Sequence, residues 1–339
     1  YFCKKYITLN THSNFWQQMN GPLLMLAPME DVTDTAFREL VMQLSDPGRL
    51  HILFTEFTST DGMCHPIGRP KVAHRLKVTN SERELLNKLG IKLVAQIWGN
   101  KPEKFAETIR HLEENYAFDG IDINMGCPAK NVVSHGSCSA LIDNETLAGE
   151  IIQAAHETCK LPLSVKTRLG VRRIETERWM SFLLRQPIDA LIVHGRIQKQ
   201  MSDGEANWDE IGKAVKLRNE LAPHIKLVGN GDVETVPEAY EKCTQYGTDG
   251  VMIGRGIFKN PWMFSPEIAP RSPGEKMEAL RNHMHLFEKA WQGERPFVML
   301  RRFFKIYASG FEGASDLRNQ LMQAQNYPEV HLILNSFNY

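Results

Sequence analysis

The sequence predicts an α/β fold in which a (β/α)8 TIM barrel is followed by a small C-terminal all-helical domain. Eight apolar, strand-like segments recur between residues 23 and 255 at intervals too long for hairpins, and helix-like segments lie between most of them. Apolar strands that alternate with helices are typical of a parallel sheet covered by helices. Eight such units in about 240 residues fit a closed barrel better than an open sheet. The Gly-x-Gly-x-x-Gly motif of a Rossmann fold does not follow the first strand.

The predicted strands and helices alternate in order along the chain. The strands are Leu23–Met29, Ile52–Phe57, Lys92–Trp98, Gly120–Gly126, Pro162–Thr167, Ala190–Arg196, Lys226–Gly231 and Gly250–Arg255. The helices are Thr33–Leu44, Pro102–Asn115, Glu145–Cys159, Glu175–Arg185, Trp208–Leu221 and Val236–Tyr246. Asn144 is predicted to cap the third helix, and Pro102 and Pro237 suit first helical turns.

A purely helical pattern follows the eighth strand. Ser272–Glu275 is a predicted capping box, and the apolar residues of Met277–Trp291 recur at the spacing of one helix face. Pro296 is predicted to open a second helix and Ser315 to cap a third, and His283 is expected at the surface. We therefore divide the chain into an N-terminal extension (1–20), a catalytic barrel (21–268) and a helical domain (269–339).

Composition limits the function classes. Lys+Arg and Asp+Glu both number 40, so a nucleic-acid partner would need a local basic face. No run approaches the roughly 18–20 apolar residues of a membrane span, and Tyr1–Lys5 lacks the apolar core of a signal peptide. Six cysteines without a C-x-x-C pair are typical of reduced thiols and not of a zinc site or a disulfide scaffold. We therefore expect a cytoplasmic protein, a monomer, with no membrane contact and no metal.

Polar residues end all eight predicted strands. They include Glu30, Glu56, Gln96, Asn124, Lys166, Arg168, His194, Arg196, Asn230, Asp232 and Arg255. One such residue can simply reach water, but eight polar strand ends favour a ligand-lined mouth, because barrel active sites lie at this face. Strands seven and eight end in glycine-bearing turns, where free backbone N–H groups can meet a phosphate.

The end of the fourth strand, within Gly120–Lys130, predicts chemistry. A core strand has no need of a polar Asn124 and of the Cys127 thiol at its carboxyl end. A lone cysteine is more often a buried small hydrophobe, but the strand-end position favours catalysis at Cys127. Cys138, a few residues further on, is the rival thiol.

Seven motifs resemble those of the flavin-dependent tRNA dihydrouridine synthases. They are Ala27–Met29 (APM), Thr55–Glu56 (TE), Asn124–Lys130 (NMGCPAK), Ser164–Arg168 (SVKTR), Val193–Arg196 (VHGR), Gly229–Asp232 (GNGD) and Met252–Gly256 (MIGRG), the last followed by Asn260–Trp262 (NPW). They occur in family order, and the helical tail also fits. The segment 132–139 departs from the family in having fewer glycines and alanines, and the loop 198–203 lacks the usual aromatic residue.

The resemblance implies FMN over the barrel mouth, NADPH as the reductant and a uridine of tRNA as the substrate. Carried over by motif, the cofactor-binding residues are Pro28, Met29 and Glu30 beside the isoalloxazine, Gln96, Lys166 and His194 at its polar edge, and Asn230, Gly231, Asp232, Gly254 and Arg255 around ribityl and phosphate. Asn124 would face the uracil. Lys130, a candidate substrate contact, either helps to position the base or only binds backbone carbonyls near the turn.

Reduction of the uracil 5,6 double bond needs a hydride at C6, which reduced flavin supplies, and a proton at C5. Cys127 is the expected acid, because a thiol with an ordinary pKa of about 8.5 is mostly protonated at neutral pH. A positive Lys166 would stabilise charge on the reduced ring. The target base is expected to leave its stack. Candidate phosphate contacts on the second tail helix are Arg301, Arg302 and Lys305.

Three alternatives stay open at this point. The nearest is another FMN barrel oxidoreductase that reduces a free pyrimidine or an enone. A Schiff-base aldolase that uses Lys166 is the second, and a non-catalytic RNA-binding barrel is the third. An intact Cys127–Lys166 pair argues against the last of these.

Overall fold

A computed structural model describes residues 14–267 and 269–337, and it contains a closed barrel of parallel strands. The strands are Leu23–Leu26 (β1), Ile52–Phe54 (β2), Thr58–Ser59 (β3), Lys92–Trp98 (β4), Gly120–Met125 (β5), Leu163–Arg168 (β6), Ala190–His194 (β7), Lys226–Asn230 (β8) and Gly250–Ile253 (β9). Their hydrogen-bonded order is β2-β1-β9-β8-β7-β6-β5-β4-β3, and a further β2–β4 pairing closes the sheet. Because β2 and β3 both pair with β4, they share one position, and the predicted eight-position barrel is confirmed.

The second strand is shorter than predicted. The prediction of one strand over Ile52–Phe57 is wrong, since β2 ends at Phe54 and pairing resumes only at Thr58. The side-chain hydroxyl of Thr55 accepts a hydrogen bond from the backbone N–H of Gln96 at 3.1 Å, in place of a backbone carbonyl. The Glu56 carboxylate instead bonds to groups outside the sheet, so the chain leaves the ladder here.

Helices cover the outside of the barrel. They are Phe15–Gln18 (α1), Thr35–Gln43 (α2), Thr60–Cys64 (α3), Arg69–Val72 (α4), Asn80–Leu89 (α5), Pro102–Asn115 (α6), Lys130–Val133 (α7), Glu145–Thr158 (α8), Thr176–Leu183 (α9), Trp208–Leu221 (α10) and Val236–Tyr246 (α11). Short 3-10 helices span Ala73–Leu76, Cys138–Asp143, Gln198–Gln200 and Arg255–Phe258. Helices α6, α10 and α11 have the predicted bounds, and Asn144 caps α8 by accepting from the backbone N–H of Leu147 at 3.1 Å.

The interior of the barrel changes from apolar to polar along its axis. Phe15 and Trp16 of α1 pack at the amino ends of the strands against inward-facing Leu23, Met25, Ile52, Phe54, Val94, Ala190, Ile192, Val228 and Met252. Two residues further along β4, β7 and β8, toward the mouth, the inward-facing side chains are the polar Gln96, His194 and Asn230. The predicted extension 1–20 therefore contributes this apolar floor from residues 15 and 16, while residues 1–13 lie outside the described part of the chain.

The helical region contains Pro273–Trp291 (α12), Arg301–Tyr307 (α13), Ala314–Gln323 (α14) and Tyr327–Ser336 (α15), with a 3-10 helix at Phe297–Leu300. The capping box at Ser272 is confirmed. The cap predicted at Ser315 is wrong, because Gly313 precedes α14 with a φ of +77° and Ser315 lies inside the helix. The prediction that His283 lies at the surface is wrong, because its side chain is fully buried. Its Nδ1 has a polar partner inside the protein, the Tyr307 hydroxyl at 2.9 Å. No helix in the described ranges is both long enough and apolar enough to cross a membrane.

The helical region joins the barrel through a buried polar cluster. Arg295 donates to the Glu56 carboxylate at 2.8 Å and lies 3.6 Å from Asp34. The Trp291 indole N–H donates to Asp34 at 2.8 Å. Around these groups, one continuous apolar core runs from the outer face of the barrel into α12–α15, so barrel and tail share a single interior.

Candidate active site

A cavity of about 540 Å³ opens at the carboxyl ends of the strands. Nine of the eleven predicted cofactor residues line it, namely Pro28, Met29, Lys166, His194, Asn230, Gly231, Asp232, Gly254 and Arg255. Glu30 and Gln96 do not line it: Glu30 is exposed and pairs with Arg75 at 2.9 Å, and Gln96 is fully buried. The predicted mouth therefore exists, and most of its predicted lining is brought together.

Positive charge dominates this cavity. Its lining includes five cationic side chains, Lys166, Arg168, Arg196, Arg255 and Lys259, and two carboxylates, Asp232 and Glu234. A concave site with an excess of cations attracts an anionic ligand such as a phosphate ester. Arg168, Arg196 and Lys259 were not predicted as individual ligand contacts, because the direction of a side chain beyond a strand end cannot be read from its position in the sequence.

Two glycine-containing turns border the cationic part of the cavity. Gly231 follows β8 with a φ of +131°, and a Cβ atom there would lie 2.5 Å from the Cβ of Ala206 and 3.2 Å from the His194 ring. A Cβ atom at Gly256 would lie 2.6 Å from the backbone oxygen of Val233. The turns after β8 and β9 can therefore pack closely only because glycine occupies both positions.

Lys166 is half-buried inside the cavity. Its Nζ donates a hydrogen bond to Oδ1 of Asn230 at 3.0 Å, and Nδ2 of Asn230 donates to the backbone oxygen of Met252 at 2.8 Å. Burial lowers the pKa of Lys166 to about 8, the charge of Arg168 adds to this effect, and Asp122 opposes it. Lys166 therefore keeps its proton at neutral pH, but holds it less firmly than a surface lysine does.

His194 is a neutral residue in this setting. Burial lowers its pKa well below the ordinary value, and the cations Lys166, Arg168, Arg196 and Arg255 lower it further. Nη1 of Arg196 lies 3.2 Å from Nε2 of His194. Because arginine can only donate, Nε2 is the acceptor and Nδ1 carries the ring proton. His194 thus offers one hydrogen-bond donor and no charge.

Asp232 is committed to other protein groups. Its two carboxylate oxygens accept from Nη2 of Arg196 at 2.7 and 2.6 Å, and the backbone N–H of Ala206 donates to Oδ2 at 2.7 Å. Arg255 lies 3.3 Å away. These contacts lower the pKa of Asp232 despite its partial burial. The carboxylate therefore fixes Arg196 and the 203–206 loop beside the cavity.

A buried polar ladder links the inner faces of three neighbouring strands, β4, β5 and β6, beneath the mouth. The Ser164 hydroxyl donates to Asp122 at 2.6 Å, Nε2 of Gln96 donates to Asp122 at 2.7 Å, and Nδ2 of Asn124 donates to Gln96 at 3.0 Å. Burial raises the pKa of Asp122 to about 6. Asp122 and Ser164 were not predicted as site residues. Their signal was the alternation of Asp122 with Asn124 on one face of an otherwise apolar strand.

The turn that carries Cys127 is held from three sides. Oδ1 of Asn124 accepts from the backbone N–H groups of Gly126 at 3.0 Å and Cys127 at 2.9 Å. Nε of Arg168 donates to the backbone oxygen of Gly126 at 2.7 Å. The Ser139 hydroxyl donates to the backbone oxygen of Cys127 at 2.7 Å. The thiol is half-buried at the mouth, and the turn around it leaves little freedom to the backbone.

The Cys127 thiol is more acidic than an ordinary thiol. A hydrogen bond from Cys138 lowers its pKa to about 7, and the Ala129 amide and Arg168 act in the same direction against burial and Glu30. The expectation of an ordinary thiol pKa at this position is therefore wrong. At neutral pH the thiol and thiolate forms of Cys127 are both populated.

The remaining predicted residues lie further from the cavity. Lys130 is exposed on α7. On α13, Arg301 donates to the backbone oxygen of Ala324 at 2.7 Å, Arg302 donates to the backbone oxygen of Asp31 at 3.0 Å, and Lys305 is exposed. Within the described ranges, no group of three or more His, Cys, Asp or Glu side chains has a geometry that would hold a metal ion.

Comparisons with known proteins agree with this geometry. The family model described as "Dihydrouridine synthase (Dus)" matches residues 25–336. A "Probable tRNA-dihydrouridine synthase 2" of Bacillus subtilis (strain 168) is 44% identical over 326 residues, which cover 96% of each chain. A "Probable tRNA-dihydrouridine synthase" of Staphylococcus aureus (strain COL) is also 44% identical, over 96% of this chain and 95% of the relative. Among solved structures, "Morphinone reductase" shares the fold with a TM-score of 0.51 and 11% identity, over 73% of this chain and 86% of that one.

Proposed function

The chain belongs to the dihydrouridine synthase family, and from this premise we propose that it reduces a uridine of tRNA to 5,6-dihydrouridine. The flavin is FMN, and NADPH is its reductant. One observation carries the proposal: the half-buried Cys127 thiol stands at the carboxyl end of β5, in the same barrel mouth as a cation-lined cavity. An acid and an anion-binding cofactor site are the two parts that flavin-dependent reduction of a carbon–carbon double bond requires.

The residues of the cavity fit FMN. Gly231 and Gly254 line the cavity without placing a side chain in it, and with Arg255 they suit a phosphate ester. Pro28 and Met29 offer an apolar wall for the ring system, while Lys166 and His194 offer donors to its polar edge. Gln96 and Asp232 are already bonded to protein groups, so their proposed role is to position their neighbours. Glu30 lies in the loop after β1, where it pairs with Arg75.

FMN, when bound, supplies the hydride that C6 of the uracil receives. Cys127 releases its proton from Sγ to C5, on the other face of the base. Asn124 orients the turn that carries this thiol, because both ends of its amide are engaged within the protein. Lys166, which is protonated at neutral pH, stabilises negative charge at the polar edge of the cofactor site.

The exposed cations around the mouth are proposed RNA contacts. Lys130 on α7 and Lys305 on α13 present side chains to solvent, and Arg302 reaches the loop after β1. Cations at these positions suit backbone phosphates, which would hold the tRNA while the target uridine leaves its stack.

Replacement of Cys127 tests the proposal. Cys127→Ala removes the acid, so dihydrouridine formation in a single turnover with unmodified tRNA should fall about 10²–10⁴-fold, while the flavin is still bound and still reduced by NADPH. Cys159→Ala is the matched control. It changes a half-buried thiol that directly follows α8, outside the cavity, and it should leave the rate unchanged.

Wild-type turnover by Cys127→Ala would remove Cys127 from the mechanism. A parallel assay with free uridine tests the substrate: equal flavin reoxidation by free uridine and by tRNA would contradict a tRNA substrate and favour a free-pyrimidine reductase. Dihydrouridine mapping of tRNA from cells that lack the protein then identifies the modified position.

A further inference from the structure

A line of hydrogen bonds connects the middle of β5 to the turn that carries Cys127. The pairing register sets Gln96, Asp122 and Ser164 side by side on β4, β5 and β6. Asn124 follows Asp122 on the same face of β5. All four of these polar side chains are buried. Each of them therefore depends on protein partners, and the bonds that one side chain makes restrict the bonds open to the next.

The turn sets the direction of this line. The backbone N–H groups of Gly126 and Cys127 can only donate, and both donate to Oδ1 of Asn124, at 3.0 and 2.9 Å. Nδ2 of Asn124 therefore points away from the turn, and it donates to Oε1 of Gln96 at 3.0 Å. This bond also orients the Gln96 amide, so that its Nε2 donates to Asp122 at 2.7 Å. Residue 122 must therefore accept a hydrogen bond.

A carboxylate suits this position, because it offers acceptors and no donor. Burial raises the pKa of Asp122 to about 6, so the group is mostly ionised at neutral pH. The Ser164 hydroxyl donates to Oδ1 of Asp122 at 2.6 Å, which leaves Oδ2 for Gln96. The line thus has an acceptor at one end and two N–H donors at the other. One orientation of the two amides between them satisfies all of these groups.

We propose that Asp122 is a positioning residue for the reaction, and that it acts through Gln96 and Asn124 to fix the turn that carries Cys127. An amide at residue 122 can present either end to Gln96, so it would also permit the opposite orientation. In that orientation Nδ2 of Asn124 faces the two N–H groups of the turn and accepts neither. This role rests on the proposed function for what the Cys127 thiol does, but the hold on the turn can be measured without tRNA or flavin.

Asp122→Asn keeps the shape of the side chain and tests the proposal in the full chain at neutral pH. With 15N-labelled cysteine, the six cysteines give at most six amide signals in a two-dimensional NMR spectrum, and loss of one signal in Cys127→Ser identifies Cys127. In Asp122→Asn this signal should move upfield and respond more steeply to temperature, because its proton loses the Asn124 acceptor in part of the population. The Cys159 amide, which donates to the backbone oxygen of Ala155 at 2.8 Å, is the internal control and should not move.

Two further variants separate positioning from a general loss of stability. Asp119→Asn changes the carboxylate just before β5, which accepts from a backbone N–H of β4 at 2.9 Å, and it should leave the Cys127 signal in place. Gln96→Met removes the amide between Asp122 and Asn124, so Asp122→Asn added to it should cause no further change. An unmoved Cys127 signal in Asp122→Asn would overturn the proposal, and so would an equal shift with and without Gln96.

Steady-state kinetics with unmodified tRNA is the second readout. Asp122→Asn should lower kcat about 10–10²-fold and change KM by less than about 3-fold, because the thiol is misplaced while the outer contacts of the tRNA are kept. A rise in KM at constant kcat contradicts a role in positioning Cys127. Because the NMR measurement needs no substrate, its failure is distinct from failure of the proposed function.

Discussion

Asn124 uses both ends of its amide inside the protein. Its Oδ1 accepts from the backbone N–H groups of Gly126 and Cys127, and its Nδ2 donates to Gln96. The direction of the turn that carries the thiol therefore depends on one side chain. Removal of a buried acceptor leaves its donors without a partner, which costs more than the bond itself contributes.

Asn124→Ala should lower the free energy of unfolding by about 1–3 kcal/mol and should also slow dihydrouridine formation, because two buried N–H groups lose their acceptor. Asn124→Asp keeps the acceptor but loses the Nδ2 donation to Gln96, so it should recover only part of the stability. Urea unfolding and single-turnover assays measure the two effects. Asn131→Ala, at an exposed position on α7, is the control, and an equal loss there would show that the effect is not specific to the turn.

At this scale the sequence gives residue types but not their partners. The strand-end positions of Lys166, Asn230 and Arg255 followed from the apolar pattern, and the structure brings all three to one cavity. The partner of Asp232 could not be predicted, because Arg196 follows β7 whereas Asp232 follows the neighbouring strand β8. The hydrogen bond from Ser139 to the backbone oxygen of Cys127 was equally out of reach, since it depends on how the 128–137 loop returns to the strand end.

The loop after β1 connects the helical region to the mouth. Glu56 accepts from the backbone N–H of Asp31 at 2.7 Å and from Arg295 at 2.8 Å, and Arg302 donates to the backbone oxygen of Asp31 at 3.0 Å. Arg302 of the tail therefore holds the loop after β1 directly, and Arg295 holds it through Glu56. Met29 of the same loop lines the cavity. The tail supports the mouth as well as extending its surface.

Glu56→Gln should change the pH dependence of stability. Burial raises the pKa of Glu56 from 4.5 to about 7, Asp34 adds to the rise, and Arg295 opposes it. The folded protein therefore binds this proton more tightly than the unfolded chain, and the associated stability is lost as pH rises from about 4.5 through about 7. Gln cannot ionise, so the variant should gain on the order of 1 kcal/mol relative to wild type between about pH 5 and about pH 8.

Urea unfolding at these two pH values measures the difference between the Glu56→Gln variant and wild type. Glu177→Gln, on the exposed face of α9, is the control and should follow the wild type at both pH values. A Glu56→Gln variant whose stability relative to wild type does not change with pH would contradict the raised pKa.

Elements with a strong pattern were predictable, and elements held by tertiary contacts were not. Helices α6, α10 and α11 have the bounds that their apolar spacing predicted. Helix α5, Asn80–Leu89, was missed, because its sequence NSERELLNKL is mostly polar and its place is fixed by Glu82, which bonds Arg38 inside the protein. The end of β2 was misplaced because the Thr55 hydroxyl replaces a backbone acceptor there.

Over the whole molecule, charge is balanced, with 40 cationic and 40 anionic side chains. A polyanionic substrate must therefore be recognised by local groups and not by the overall field. The cavity supplies one such group of cations, and the exposed cations of α7 and α13 supply others.

Lys305→Ala should weaken tRNA binding and reduce the slope of log affinity against log salt by about 1, because an exposed lysine at a phosphate releases a counterion. Arg301→Ala should leave the slope unchanged and lower stability by about 1–3 kcal/mol, since Arg301 bonds the backbone oxygen of Ala324. Filter binding across a salt series and urea unfolding separate the two. A reversal of these effects would move the RNA surface off the exposed face of α13.

The floor formed by Phe15 and Trp16 has a consequence for hydrogen exchange. Because apolar side chains of the described residues close the amino end of the barrel, we expect water to reach the Ser164–Asp122–Gln96 ladder from the mouth. Under the proposed function, cofactor and base cover that opening, and the hydrogens of the ladder should then be cut off from bulk solvent. Deuterium from heavy water should then exchange into the ladder between turnovers and not during them. Binding of the substrate would therefore control hydrogen exchange in the interior of the barrel.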